Sequence, residues 1–100
     1  MTLHFVNPDG AAIDSLAWYA IYSSAARCPR PERVVGKGNL FAEVSWLGII
    51  TDRDPGAWCV RLFRRRAAGD LHLGIRWARD RADAMMLARD MLEELAQDVA

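Results

Sequence analysis

The sequence predicts an α+β domain in the order α-β-β-β-α, a three-stranded antiparallel sheet packed on one face by N- and C-terminal helices. Three observations carry this. Apolar residues recur at helical spacing near both ends, they alternate with polar residues between about 40 and 77, and Pro- and Gly-rich clusters separate the segments. One hundred residues hold one such set, so residues 1–100 form a single domain with a thin core.

The first helix is expected over 8–27. Asn7 offers an N-cap, Pro8 fits the first helical position, and Pro29 and Pro31 stop the helix after Cys28. Ile13, Leu16, Ala17, Ala20 and Ile21 fall on one stripe, the expected buried side. Ser15, Trp18, Tyr19 and Tyr22 lie off that stripe, which leaves the helix apolar nearly all round. Either the rest of the chain sandwiches it, or its aromatic side meets a partner.

Residues 28–39 read as a basic loop with Arg30, Arg33 and Lys37. Gly36-Lys37-Gly38 is no phosphate loop, because no Ser or Thr follows the Lys. A long strand is expected over 40–50. Ala42, Val44 and Trp46 point one way and Phe41, Glu43, Ser45 and Leu47 the other, with Gly48 marking a bulge or bend. Asp52-Arg53-Asp54-Pro55-Gly56 signals a turn.

In the second strand, 57–66, Trp58, Val60 and Leu62 alternate with Cys59, Arg61 and Phe63. Ala67-Ala68-Gly69-Asp70 turns the chain. In the third, 71–77, Leu71, Leu73, Ile75 and Trp77 alternate with His72, Gly74 and Arg76. Such alternation predicts one buried and one open face. Asp80 caps a last helix over 81–97, Asp83 supports its first turn, and Ala84, Leu87, Ala88, Met91, Leu92 and Leu95 form its apolar stripe.

Apolar residues make up 52% and charged residues 26%, the balance of a folded soluble chain. The net charge is zero but unevenly spread. Residues 58–81 hold seven arginines and two aspartates; residues 83–98 hold five acids and one arginine. Met1 to Val6 has no basic, apolar signal-peptide pattern, and no apolar run is long enough to span a membrane. Cys28 and Cys59 stand alone, as reduced thiols in a cytoplasm do. A cytoplasmic location is therefore expected.

No catalytic constellation is visible. His4 and His72 are the only histidines, and His72 reads as a surface residue on a strand. Two cysteines and two histidines scattered from 4 to 72 do not make a zinc site. No nucleophile elbow or Cys-His pairing occurs. The expectation is a protein that is no enzyme and carries neither metal nor cofactor.

The order helix, antiparallel strands, helix resembles the double-stranded RNA-binding domain, most closely from Trp58 to Leu95. That resemblance implies the fold. The family opens its last helix with a lysine cluster that grips phosphates. The matching stretch here is Arg81-Ala82-Asp83-Ala84-Met85, with one basic residue and an aspartate. The strand, charged turn, strand and Ala/Met-rich helix of Trp58 to Met91 also resemble, in format, small phage-encoded anti-CRISPR inhibitors. That likeness implies an inhibitor of a bacterial defence complex.

These readings converge on a binding protein. Trp18, Tyr19 and Tyr22 are the candidate apolar anchors. Arg61, Arg65 and Arg76, with Phe63 between the first two, are the candidate polar contacts. The arginines suit a protein partner, a ribonucleoprotein complex or nucleic acid directly, or they simply cover the open sheet face with their stems. Zero net charge weighs against nucleic acid as the main ligand. A homodimer through the Trp18 helix is compatible with all of this.

Overall fold

The computed structural model describes residues 2–52 and 56–98, except the side chain of Asp98. The chain runs β1 (His4–Phe5), α1 (Ser15–Tyr22), a 3-10 turn (Ala25–Arg27), β2 (Glu32–Val35), β3 (Leu40–Trp46), β4 (Ile49–Ile50), β5 (Trp58–Arg64), β6 (Leu71–Ala78) and α2 (Arg81–Asp98). The class is α+β, as expected. The main sheet has four strands, not three, in the order β2-β3-β5-β6, all antiparallel. β1 and β4 form a separate two-stranded ribbon.

The extra strand comes from the region expected to be a basic loop. Glu32 to Val35 pairs with Val44 to Phe41 across the turn at Lys37-Gly38, where Gly38 has φ +62°. Its four residues, Glu32-Arg33-Val34-Val35, show no apolar/polar alternation and lie between prolines and glycines, whose turn signals mask the strand.

α2 packs on one face of this sheet, touching all four strands. Leu40, Ala42, Val44, Trp58, Val60 and Leu62 meet Ala84, Ala88, Met91 and Leu92 there. The helix starts as anticipated. The Asp83 backbone N–H donates to Asp80 Oδ1 at 2.8 Å, and Asp83 Oδ2 accepts from the Arg79 N–H at 3.4 Å. Arg81 then donates two hydrogen bonds to Glu32 Oε1 and one to Oε2, which ties the helix start to edge strand β2.

The N-terminal region departs from expectation. The helix is eight residues long and begins at Asp14, whose side chain accepts from the Leu16 and Ala17 N–H groups. Asn7-Pro8-Asp9-Gly10 is a turn instead of a helix start. Gly10 sits at φ +93° and donates to Asn7 O, Asp9 Oδ1 accepts from the Ala11 N–H, and Val6 bridges Ala12. Pro at a first helical position and Pro in an Asn-Pro-Asp-Gly turn are locally alike, and the glycine decides between them.

α1 does not lie beside α2 on the sheet face. It sits off the end of β3, where Trp18 and Tyr22 pack against Trp46 with ring centroids 6.1 and 4.7 Å apart. Most of the expected stripe faces outward: Leu16 is 79% exposed, Ala20 and Ile21 are exposed too, and Ile13 and Ala17 are only half-buried. The long strand 40–50 breaks at Gly48, as its glycine suggested. With φ +74° this residue turns the chain into β4, and an added Cβ would stand 2.5 Å from Trp46 Cζ2 and 2.8 Å from Trp18 Nε1. The molecule is elongated, 48 × 24 × 23 Å with a radius of gyration of 15.0 Å, against about 13 Å for a compact domain of this length.

Positions 53–55 of the Asp52–Gly56 turn lie outside the described residues. Among the described residues no helix is long and apolar enough to cross a membrane.

Candidate functional site

The sheet face opposite α2 carries no helix. Antiparallel partners share a face, so the registers specify what it displays. One row across the sheet reads Val35, Phe41, Phe63, His72; the next reads Arg33, Glu43, Arg61, Ile75; a third holds Ser45, Cys59 and Trp77. Arg65 follows β5, and its N–H donates to Asn39 O at 2.7 Å.

Phe41 and Phe63 stack at 5.2 Å with their planes 15° apart, and the His72 ring meets the Phe63 ring edge-on at 5.3 Å. The Arg33 guanidinium lies 4.4 Å from the centre of the Phe41 ring and that of Arg65 lies 5.5 Å from it. Phe41 is therefore only 4% exposed although no helix covers it. Its own arginines form its roof, with their guanidiniums lying over the ring. Arg33, Arg61 and Arg65 are all exposed. Among the described residues none of the three makes an ion pair.

The seven expected contact residues fall into three groups. Arg61, Phe63 and Arg65 share the open face, as anticipated. Arg76 does not join them. The register shifts between Leu62 and Phe63, and this bulge exchanges inward and outward positions along β6. Arg76 stands opposite Val60, on the helix-covered side at the sheet edge, near Glu94 and Leu95. Ile75 and Trp77, expected inside, face outward instead, and Ile75 is 42% exposed.

Trp18, Tyr19 and Tyr22 form the third group, at the α1 end. Trp18 and Tyr22 are half-buried and pack within the chain, and the Tyr22 hydroxyl donates to Asn7 Oδ1 at 2.7 Å. Tyr19 touches Phe5 and Trp18 but remains 54% exposed. Of the three it offers the most surface, beside Leu16 on the outer side of the helix.

Two residues of this site are not among the expected contacts. Arg33 belongs to the stretch expected as a loop, and Phe41, expected on the same strand face as Glu43, is not singled out there. The signal for both was the two-residue spacing of Arg33 and Val35, and of Phe41 and Glu43, across a Gly-Lys-Gly turn. Arg81, the one basic residue where the RNA-binding domain has its lysine cluster, is engaged with Glu32.

A second concavity runs between the β2–β3 turn and the C-terminal half of α2. Val34 and Leu92 floor it, and Lys37, Arg89 and Glu93 stand at its rim with charges of both signs. Among the described residues no group of three or more His, Cys, Asp or Glu is placed to hold a metal ion. The open face thus presents exposed guanidiniums beside a row of rings, groups whose chemistry suits anions and flat surfaces. No protein-family model, curated protein or solved structure matches this chain.

Proposed function

We propose that this chain is a non-enzymatic, cytoplasmic binding module, an inhibitor or adaptor that docks on another macromolecule through the open face of its sheet. The observation that carries this reading is that Arg33, Arg61 and Arg65, beside the Phe41–Phe63 stack, make no ion pair among the described residues. A monomer that needed only solubility would gain as much from scattered charges. Here three cations share one face with a single carboxylate, Glu43, while Asp90, Glu93 and Glu94 lie on α2 behind the sheet. Such segregation steers an anionic partner to one side.

Both sheet edges are poor docking sites, which supports the face over the edge. β2 is four residues long and follows two prolines, and β6 carries the bulge. The expected partner is a bacterial protein or ribonucleoprotein complex, the target class of the small phage and mobile-element inhibitors whose format the chain resembles.

The test is affinity capture from bacterial lysate with the tagged protein, comparing the native chain with the Arg61→Glu, Arg65→Glu double variant. A partner retained by the native chain and lost by the variant supports the reading. A partner retained equally by both places recognition elsewhere and sinks it. Both side chains are exposed, so the variant is expected to keep its fold, which circular dichroism checks.

A further inference from the structure

We propose that the anion recognised by the open face is the sugar-phosphate backbone of a single-stranded nucleic acid, whose bases rest on the rings of Phe63 and His72. This rests on the binding-module reading and names its ligand.

The arginines are held in place before any ligand arrives. Arg33 and Arg65 lie over Phe41 at 4.4 and 5.5 Å, so their guanidiniums stay close to the sheet. Less side-chain freedom is then lost on binding, and the planar forks suit phosphate oxygens. Phe41 is too covered to receive a base. Phe63 is half-buried and His72 exposed, and these two rings, 5.3 Å apart, continue the row to the sheet edge. Rings and cations interleaved on an open antiparallel sheet give a single strand what it needs: charge for its phosphates and flat surface for its splayed bases.

The alternatives use fewer of these features. An acidic protein surface would engage the guanidiniums but has no particular use for the ring row. A duplex needs a helix or ribbon to enter its groove, and this face offers neither. Arg81, at the start of α2, is committed to Glu32. The acids of α2 are screened from the site by the sheet itself, which answers the objection raised by zero net charge. Glu43 stands between Arg33 and Arg61 in both registers and opposes the ligand.

The experiment is fluorescence anisotropy of labelled oligo-dT and oligo-U of 12 nucleotides, with a blunt duplex of equal length as comparison. Three neutralised phosphates give a log–log salt slope of about −2, a loss of roughly 20-fold between 50 and 200 mM salt. Arg61→Glu should weaken binding at least tenfold by reversing one contact, and Glu43→Gln should tighten it. His72→Ala should weaken it about fivefold or more, the range for loss of one stacked base. The two oligonucleotides distinguish DNA from RNA as the source of the strand.

Absence of saturable binding at 50 mM salt and about 100 μM protein, the weak end of non-specific association, overturns the proposal. So does equal affinity for the duplex, or binding indifferent to Arg61→Glu. If the oligonucleotides fail while a nuclease-resistant protein complex is still captured through Arg61 and Arg65, the nucleic-acid inference falls and the binding-module reading stands. If both fail, both fall.

Discussion

Around β3 and β5 the chain buries small and branched side chains completely: Ala42 and Val60 are 0% exposed and Val44 1%, against Ala84 and Ala88 of α2 at 0%. Around α1 no helical residue is fully buried, and the packing is done by Phe5, Trp18, Tyr22 and Trp46 touching ring to ring. The first region is a sheet closed by one helix, with many interlocking contacts. The second is an eight-residue helix, shorter than any that holds itself in water, fastened by a few large rings. Neither the Trp18 nor the Trp46 indole N–H finds an acceptor among the described residues, a further cost at that end. The contrast implies two levels of local stability in one chain, with α1 opening before the sheet.

The largest expected effect comes from breaking the stronger region. Leu92 is 5% exposed between α2 and the sheet, and Leu92→Ala should cost about 2–5 kcal/mol, a large part of the stability of a domain this size. Urea denaturation followed by tryptophan fluorescence measures it. The α1 signal should be lost together with the sheet signal, because Trp46, on which α1 rests, is a residue of β3. A shift below about 1 kcal/mol would mean that α2 is not the sheet's main cover.

An intermediate effect is expected at the weaker region. Gly48→Ala puts a side chain into left-handed backbone at φ +74° and against both Trp46 and Trp18, for about 1–2 kcal/mol of backbone cost plus the displaced rings. Hydrogen exchange should accelerate at amides 16–22 while β5 amides keep their protection. Equal acceleration in β5 would show one cooperative unit and would dissolve the distinction between the regions.

That distinction also explains what could be read from the sequence. The α2 stripe, its Asp80 cap and the alternation in β3 and β5 were legible because periodicity and local chemistry agree there. So were Arg61, Phe63 and Arg65 on one face. β2 was hidden by turn residues on both sides. The placement of Arg76 turns on the bulge in β6, which leaves Leu73 without a register partner in β5; Gly74 beside it is the one local signal, and a strict alternation runs past it. The orientation of α1 was lost for a different reason. A helix apolar on nearly all sides has no strongly preferred face in its own sequence, and the choice is made by Phe5 of β1 and by Trp46, far along the chain.

The smallest expected effect sharpens the comparison at its third corner, the edge strand. Arg81 and Glu32 meet at 2.7 Å with side chains 56% and 41% exposed, so water screens them. A double-mutant cycle with Arg81→Gln and Glu32→Gln should give a coupling of about 0.3–1 kcal/mol that shrinks as salt rises. Were the coupling larger and insensitive to salt, β2 would owe its place in the sheet to this pair. At the expected size, β2 is held instead by its ladder to β3 and by Val34 against the core. Arg33 then projects over Phe41 because the register sets it there, and the open face keeps its form when the ion pair is broken.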